Sequence, residues 1–271
     1  MRERVCPFRP TCVHRQARGC VETHFVENFE TALAPRSIAV ADLDADGAQD
    51  LAVANGNSNS VSVLVGYGTG GFAPAVNYPV GVAPAAVSTG DFNEDGNLDI
   101  IVANYGSDDI SLLLKEPQGS FGGDRSFNAW LGPSGMVVAD LNGDGHLDVA
   151  VSCEGGDAIA VLLGDGKGSF APASKISVGK APTGVAAVEL DGNSLADLVV
   201  ANQHEDSIVI LINRSWGPLL RRVAVVTFAT VAVLAFGLLL RTRRRRGAGA
   251  ISPAPPDMQP AGDTIPPAPT S

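Results

Sequence analysis

Oxygen-bearing side chains recur in this chain at fixed short intervals. Asp42, Asp44, Asp46 and Asp50 stand at positions 1, 3, 5 and 9 of one acidic stretch, Asp91, Asn93, Asp95 and Asp99 of a second, and Asp140, Asn142, Asp144 and Asp148 of a third. Carboxylates packed this closely repel one another unless a cation sits among them. Hard oxygen ligands with glycine at position 6 for the sharp turn (Gly47, Gly96, Gly145) are what Ca²⁺ requires, and the backbone carbonyl of position 7 (Ala48, Asn97, His146) adds a further oxygen. A solvated acidic turn would have no need to keep one spacing three times over. The fourth stretch has Glu189, Asp191, Asn193 and Asp197 at the same positions, but its first ligand is longer and Ser194 replaces the turn glycine, so a weak or empty site is expected there. An EF-hand shares positions 1, 3, 5 and 6 and fails at position 12, where its bidentate Glu is replaced by Val53, Val102, Val151 and Val200.

The elements that must hold these loops repeat with them. The chain aligns on itself at a period of 49 residues without a gap: Pro35, Pro84, Pro133 and Pro182 precede the loops, and Asn55, Asn104, Cys153 and Asn202 follow them. Within the first unit, residues 37–41, 51–54 and 61–65 are short runs rich in Val, Leu, Ile and Ala, separated by Gly, Asn, Ser and Asp. A fourth strand is expected at about 72–78, after a Gly-rich turn. Small residues dominate the first strand of every unit, as where strands crowd toward an axis, and the second and third strands are continuously apolar, as when buried on both faces. The expected fold is all-β, a β-propeller of four 49-residue blades, each a four-stranded antiparallel sheet.

Charge excludes one class of partner. Of the 29 acidic and 19 basic residues, 25 acidic and 6 basic fall in residues 23–213, an acidic body that argues against nucleic acid. Cys6, Cys12 and Cys20 match no zinc spacing, and Cys153 lies in an expected strand as a small apolar residue. The histidines are His14, His24, His146 and His204, and none stands with a partner that makes a catalytic set, so no enzyme is expected.

The acidic loops, followed by apolar strands and set among Phe-Ala-Pro and Gly-x-Ala-Pro pieces (Phe72-Ala73-Pro74, Gly81 to Pro84, Phe170-Ala171-Pro172, Gly179 to Pro182), resemble FG-GAP/VCBS repeats over about residues 24–213. These are the calcium-binding repeats of the integrin α-subunit propeller and of many bacterial surface proteins. The resemblance implies Ca²⁺ on the loop between the first and second strand of a blade. It implies no single activity, since such repeats occur in adhesins, in lectin-like modules and beside lyases and phospholipases. The expected role is an extracellular adhesion or ligand-binding module for a protein or glycan. The alternatives are a Ca²⁺-dependent hydrolase or lyase on polysaccharide or phospholipid, and a structural spacer.

The flanks divide the rest. Residues 1–22 form a basic, Cys-containing segment without the apolar stretch of a secretory signal, so either the natural start is another one or the domain stays inside as a tail-anchored protein, and the scarcity of cytosolic calcium favours the first. Residues 214–222 are a juxtamembrane linker, and residues 223–240 are uncharged, long enough for one transmembrane helix, and bracketed by arginines. Residues 241–271 are basic and then Pro/Ala-rich. Five arginines after the span against three before it place the tail in the cytoplasm and the propeller outside. Asn213-Arg214-Ser215 is a formal glycosylation sequon. The fourth unit lacks a fourth strand and residues 24–30 supply a spare one, so these are expected to pair with residues 207–212 and close the ring. Open edges would otherwise favour self-association.

Overall fold

The computed structural model describes residues 27–214 and, as backbone, residues 224–227. They form four antiparallel four-stranded sheets, each in simple sequence order. The first sheet comprises β1 (Pro35–Ala41), β2 (Asp50–Asn55), β3 (Ser60–Leu64) and β4 (Val76–Pro79). The second comprises β5 (Pro84–Gly90), β6 (Asp99–Asn104), β7 (Asp109–Leu113) and β8 (Arg125–Asn128). The third comprises β9 (Pro133–Ala139), β10 (Asp148–Cys153), β11 (Ala158–Leu162) and β12 (Ser174–Ser177). The fourth comprises β13 (Pro182–Val188), β14 (Asp197–Asn202), β15 (Ser207–Ile212) and β16 (Ala224–Thr227). The expected all-β, blade-like architecture is therefore present, and no α-helix occurs among the described residues.

The fourth strand of each of the first three sheets is shorter than expected because the chain before it cannot pair continuously. Phe72, Phe121 and Phe170 each make only an isolated bridge, to Gly66, Lys115 and Gly164. In the first and third sheets Pro74 and Pro172 follow two residues later and offer no N–H to the ladder.

The chain divides into two compact units, residues 1–127 and 128–271. In the first, Ala39, Ala41, Ala52, Ala54, Val61 and Val63 of the first sheet pack on Val87, Ile100, Val102 and Leu113 of the second. Small residues of one face receive larger ones of the other, so the sheets approach closely without leaving a void. The second unit repeats the arrangement, with Ala150, Ile159 and Val161 set against Leu198, Val200, Val209 and Leu211. Middle strands β6 and β10 are buried along their whole length, which explains their unbroken apolar sequence.

The N-terminal closure strand is not found. Residues 27–30 form no strand, residues 24–26 lie outside the described residues, and the outer edge of β15 pairs instead with β16 (Val209↔Thr227, Ile210↔Val226, Leu211↔Val225, Ile212↔Ala224). The partner comes from the apolar run assigned to a membrane helix. Its Val-Val-Thr sequence is β-branched and suits a ladder as well as a bilayer. No helix among the described residues is long and apolar enough to cross a membrane. The remainder of 223–240, the Cys-containing segment 1–22 and the tail 241–271 lie outside the described residues.

Core packing makes a direct prediction. Ile100 is fully buried between sheets, so Ile100→Ala should destabilise the first unit by about 2–5 kcal/mol, whereas Val76→Ala, at a position 54% exposed, should change it by less than about 0.5 kcal/mol. Denaturant melts of the two variants check this, and equal midpoints would contradict the packing described.

Candidate metal centre

Each acidic loop joins the first strand of a sheet to the second. The backbone turns at position 4 (Ala45, Glu94) and again at position 6, where Gly47, Gly96 and Gly145 hold φ of 91°, 87° and 91°. A Cβ on any of these three glycines would meet nothing within 4 Å, so the glycine is required by backbone conformation and not by space. Ser194 holds φ 69° at the same position and carries the strain of a left-handed L-residue.

Within the loops, carboxylates gather backbone N–H groups. Asp42 accepts from Asp46 N at 3.1 Å and Gly47 N at 2.9 Å, and Asp91 accepts from Asp95 N and Gly96 N at the same two distances. Asp140 accepts from Gly143 N at 2.7 Å and Gly145 N at 2.9 Å. Position 3 (Asp44, Asn93, Asn142) accepts from the N–H of position 5, and position 5 (Asp46, Asp95, Asp144) from the N–H of position 7. The residues at position 7, Ala48, Asn97 and His146, thus face the loop through their backbone. The loop is thus shaped by its own hydrogen bonds.

Position 9 has a role that its assignment as a metal ligand did not reveal. Asp50, Asp99, Asp148 and Asp197 are fully buried, and each carboxylate clamps two backbone segments. One oxygen accepts from the residue at position 2: Leu43 N at 2.7 Å, Phe92 N at 3.0 Å, Leu141 N at 2.9 Å, Leu190 N at 2.9 Å. The other accepts from the chain leaving the third strand: Gly66 N at 2.7 Å, Lys115 N at 2.8 Å, Gly164 N at 2.8 Å, Asn213 N at 2.7 Å. A usable signal was present in the sequence, because an Asp that opens a doubly buried strand must itself be buried and satisfied.

In two loops three carboxylates converge. Carboxylate oxygens of Asp42, Asp44 and Asp50 lie within 4.8 Å of one another, and so do those of Glu189, Asp191 and Asp197. Burial, then the charges of Asp50, Asp46 and Asp42, raise the Asp44 carboxyl above the ordinary range against a hydrogen bond from Asp46 N. Burial pushes Asp99 up to about 6 and raises Asp148, in both cases against two backbone hydrogen bonds. Asp95 and Asp144 move down despite desolvation, because a backbone N–H and asparagine amides favour their ionised form. In the first loop three carboxylates are held at one point against their own repulsion, an arrangement that fits a divalent cation; residues at positions 1, 3, 5 and 9 would hold it.

In the fourth loop Glu189 Oε1 accepts from Asp191 N at 3.0 Å, Asn193 N at 3.2 Å and Gly192 N. The Asn193 amide turns away to the carbonyl of Asn213, and its Oδ1 accepts from Leu195 N at 2.7 Å. Three carboxylates meet here as in the first loop, while position 5 is drawn off. Asn213, the sequon residue, is buried, with Nδ2 donating to Leu141 O at 2.6 Å and Ala196 O at 3.1 Å, so its amide is committed to the fold.

Two outcomes follow for the loops. In metal-free buffer Asp99→Ala or Asp148→Ala should cost about 3 kcal/mol or more by stripping the acceptor from two N–H groups, while Asp44→Ala should cost almost nothing because it also relieves repulsion. Ser194→Gly should stabilise by about 1 kcal/mol through relief of the left-handed backbone. Urea titrations of the variants measure both, and an Asp44 variant as damaged as the Asp99 variant would refute the clamp.

Comparison with known proteins agrees with this geometry. No curated protein sequence matches the chain. The fold is shared at a TM-score of 0.50 with a functionally unknown protein from Desulfotomaculum acetoxidans, 13% identical, over 70% of this chain and 54% of that one. Virginiamycin B lyase from Staphylococcus aureus matches at TM-score 0.47 and 13% identity over 72% of this chain and 55% of that one, and a streptogramin B lyase at 0.47 and 19% over 70% and 56%. The chain spans about half the length of these structures. Three overlapping stretches, residues 42–102, 91–151 and 140–200, match the FG-GAP-like repeat, each running from one acidic loop into the next. With more than half of its length covered by that repeat, the chain belongs to the FG-GAP-like repeat family.

Proposed function

We propose that the chain is a calcium-stabilised binding module of the cell exterior, engaging an extracellular protein or glycan. The observation that carries the reading is the loop frame repeated with the same backbone hydrogen bonds in the first three sheets, on which the carboxylates of Asp42, Asp44 and Asp50 converge in the first loop, as do those of Glu189, Asp191 and Asp197 in the fourth. Ca²⁺ would be held by side-chain oxygens of positions 1, 3, 5 and 9 and by the carbonyl of position 7, and it would cancel the repulsion that the metal-free loops carry. The fourth loop is the weakest of the four, because Asn193 is engaged elsewhere and Ser194 strains the turn.

The module is read as non-catalytic. His204 is exposed in the short turn Gln203–Glu205, and His146 enters its loop through backbone N–H donation to Asp144. The surface we assign to a ligand is the turn before β9, where Trp130 is 40% and Leu131 56% exposed. Trp130 holds a left-handed φ of 115° there, with the Lys175 ammonium 5.1 Å from its ring centroid. A cation-flanked aromatic plane held in a strained conformation suits the face of a sugar or a peptide side chain.

Calcium at a hundredfold excess over its Kd should stabilise the fold by about 2.7 kcal/mol per site. A thermal melt with Ca²⁺ and with chelator reads this, with Asp95→Ala and Asp144→Ala reducing the shift more than Asn193→Ala. The shift should shrink from pH 7 to pH 5, because a folded-state pKa of about 6 at Asp99 lets protons compete with the metal. Superimposable melts with and without Ca²⁺ would refute calcium binding. Retention of glycan-array and protein-array signals by Trp130→Ala would refute the assigned surface.

A further inference from the structure

Sheets within a unit meet in one fixed way: the leading face of the earlier sheet packs on the trailing face of the later. In the first unit the leading face holds Ala52, Ala54, Val61 and Val63, and the trailing face that meets it holds Val87, Ile100, Val102 and Leu113. The second unit repeats the arrangement, with Ala150, Ile159 and Val161 facing Leu198, Val200, Val209 and Leu211. Each unit therefore also contains one half of this contact that is bare. On the trailing face of the first sheet Ile38 and Val40 are 60% and 58% exposed, although Val87, the equivalent of Ile38 one repeat on, is 8% exposed. On the leading face of the fourth sheet Val188 and Ile208 are 42% and 37% exposed, with Ala186 and Ala201 exposed beside them.

Two further observations show what these faces are shaped to receive. The outer part of the first sheet is already finished in the manner of an interior sheet. Phe29 meets Phe72 edge-on at 5.1 Å, as Tyr78 meets Phe121 at 5.4 Å. Ala32 N donates to Ser62 Oγ as Gly81 N does to Ser111 Oγ, and Leu33 N to Ser58 Oγ as Val82 N does to Ser107 Oγ. Residues 29–33 thus lie where the end of a preceding fourth strand would lie, and only the inner, aliphatic part of that face is uncovered. The second observation is a matched slot. A Cβ on Gly135 of the third sheet would stand 2.6 Å from the carbonyl oxygen of Thr183, because the next sheet passes against it. At the equivalent Gly184 the only neighbour is Ala201 Cβ at 3.9 Å, so the same close-approach position is open.

We propose that the leading face of the fourth sheet docks on the trailing face of the first sheet of a second copy of this chain, head to tail, by the contact that each unit already contains. The named residues of both halves are aliphatic, Arg36 lies exposed beside Ile38 on β1, and the repeat places the two halves in complementary register. A second copy is the occupant because this chain itself carries the complement of each face. The interface is heterologous, so association either closes into a ring of copies or continues.

The test uses the full chain in mild detergent, with sedimentation velocity over a concentration series. Gly184→Arg and Ile38→Arg each bury a charge in one half of the interface. Gly184 lacks a left-handed φ and has open space, and Ile38 is exposed, so both variants should keep the wild-type circular dichroism and melting temperature. Wild type should associate with rising concentration, each variant alone should stay monomeric, and an equimolar mixture should give dimers and nothing larger, since each variant keeps one intact face. A wild-type chain that is monomeric throughout overturns the proposal. So does a mixture that forms no dimer, which would mean that the two faces do not bind each other; so does a variant that dimerises by itself, which would mean that like faces pair; and so does a monomer whose melting temperature both substitutions lower, which would mean that the faces meet within one chain.

Discussion

The buried carboxylate at the ninth loop position is the constraint on which the rest of each sheet hangs. Its two oxygens tie the loop's second residue to the chain leaving the third strand, so the loop, the middle strand and the exit toward the fourth strand are fixed by one side chain. A carboxylate at zero exposure is tolerable only when both oxygens are satisfied, and here charge-assisted bonds of 2.7–3.0 Å do that in all four sheets. The remaining acidic residues stand on the frame so made. Their mutual repulsion is held in place by turns that the chain's own backbone donors stabilise, which is what makes the loop a receptor for a cation and not merely an acidic bulge.

Much of this was legible because the repeat is ungapped. A period of 49 residues placed each loop between a first and second strand, and the Val and Ile content of residues 51–54 and 100–103 announced strands buried on both faces. Position 6 was readable from the glycine alone, and the φ values there bear out the reason given for it. The double role of position 9 was not read, since an aspartate in an acidic loop was counted with its neighbours and not with the apolar strand it begins. Pairing at the edge of β15 was also misassigned. A short β-branched stretch such as Ala224–Thr227 carries the same hydropathy whether it lies in a lipid or along a strand, and pattern alone does not separate the two. Residues 24–30 were read as a spare fourth strand, yet it is residues 29–33 that stand where the end of such a strand belongs, and they act through one aromatic edge and two serine hydroxyls and not through a ladder.

The third repeat shows how far the unit can be altered without losing its form. Asn104 and Asn202 close the end of the middle strand through their amides, against Gly81 and Gly179, whose missing side chains leave room for those amides. In the third sheet Cys153 replaces the asparagine, its thiol donates to Val151 O, and Trp130 stands where the glycine would be. The smaller thiol and the larger indole are exchanged together, and the released position becomes the exposed aromatic of the turn before β9.

The ninth-position clamp also bears on how the chain reaches this structure. Its two bonds span 7 and 16 residues, so each closes a short loop whose ordering cost is small and whose closure takes well under a microsecond once collapse begins. Every sheet therefore carries its own nucleus, built from neighbours in sequence and independent of the other unit. Folding can start at any repeat and spread to the next through the sheet faces, and partial opening should follow the same boundaries, sheet by sheet, as cooperative blocks in hydrogen exchange.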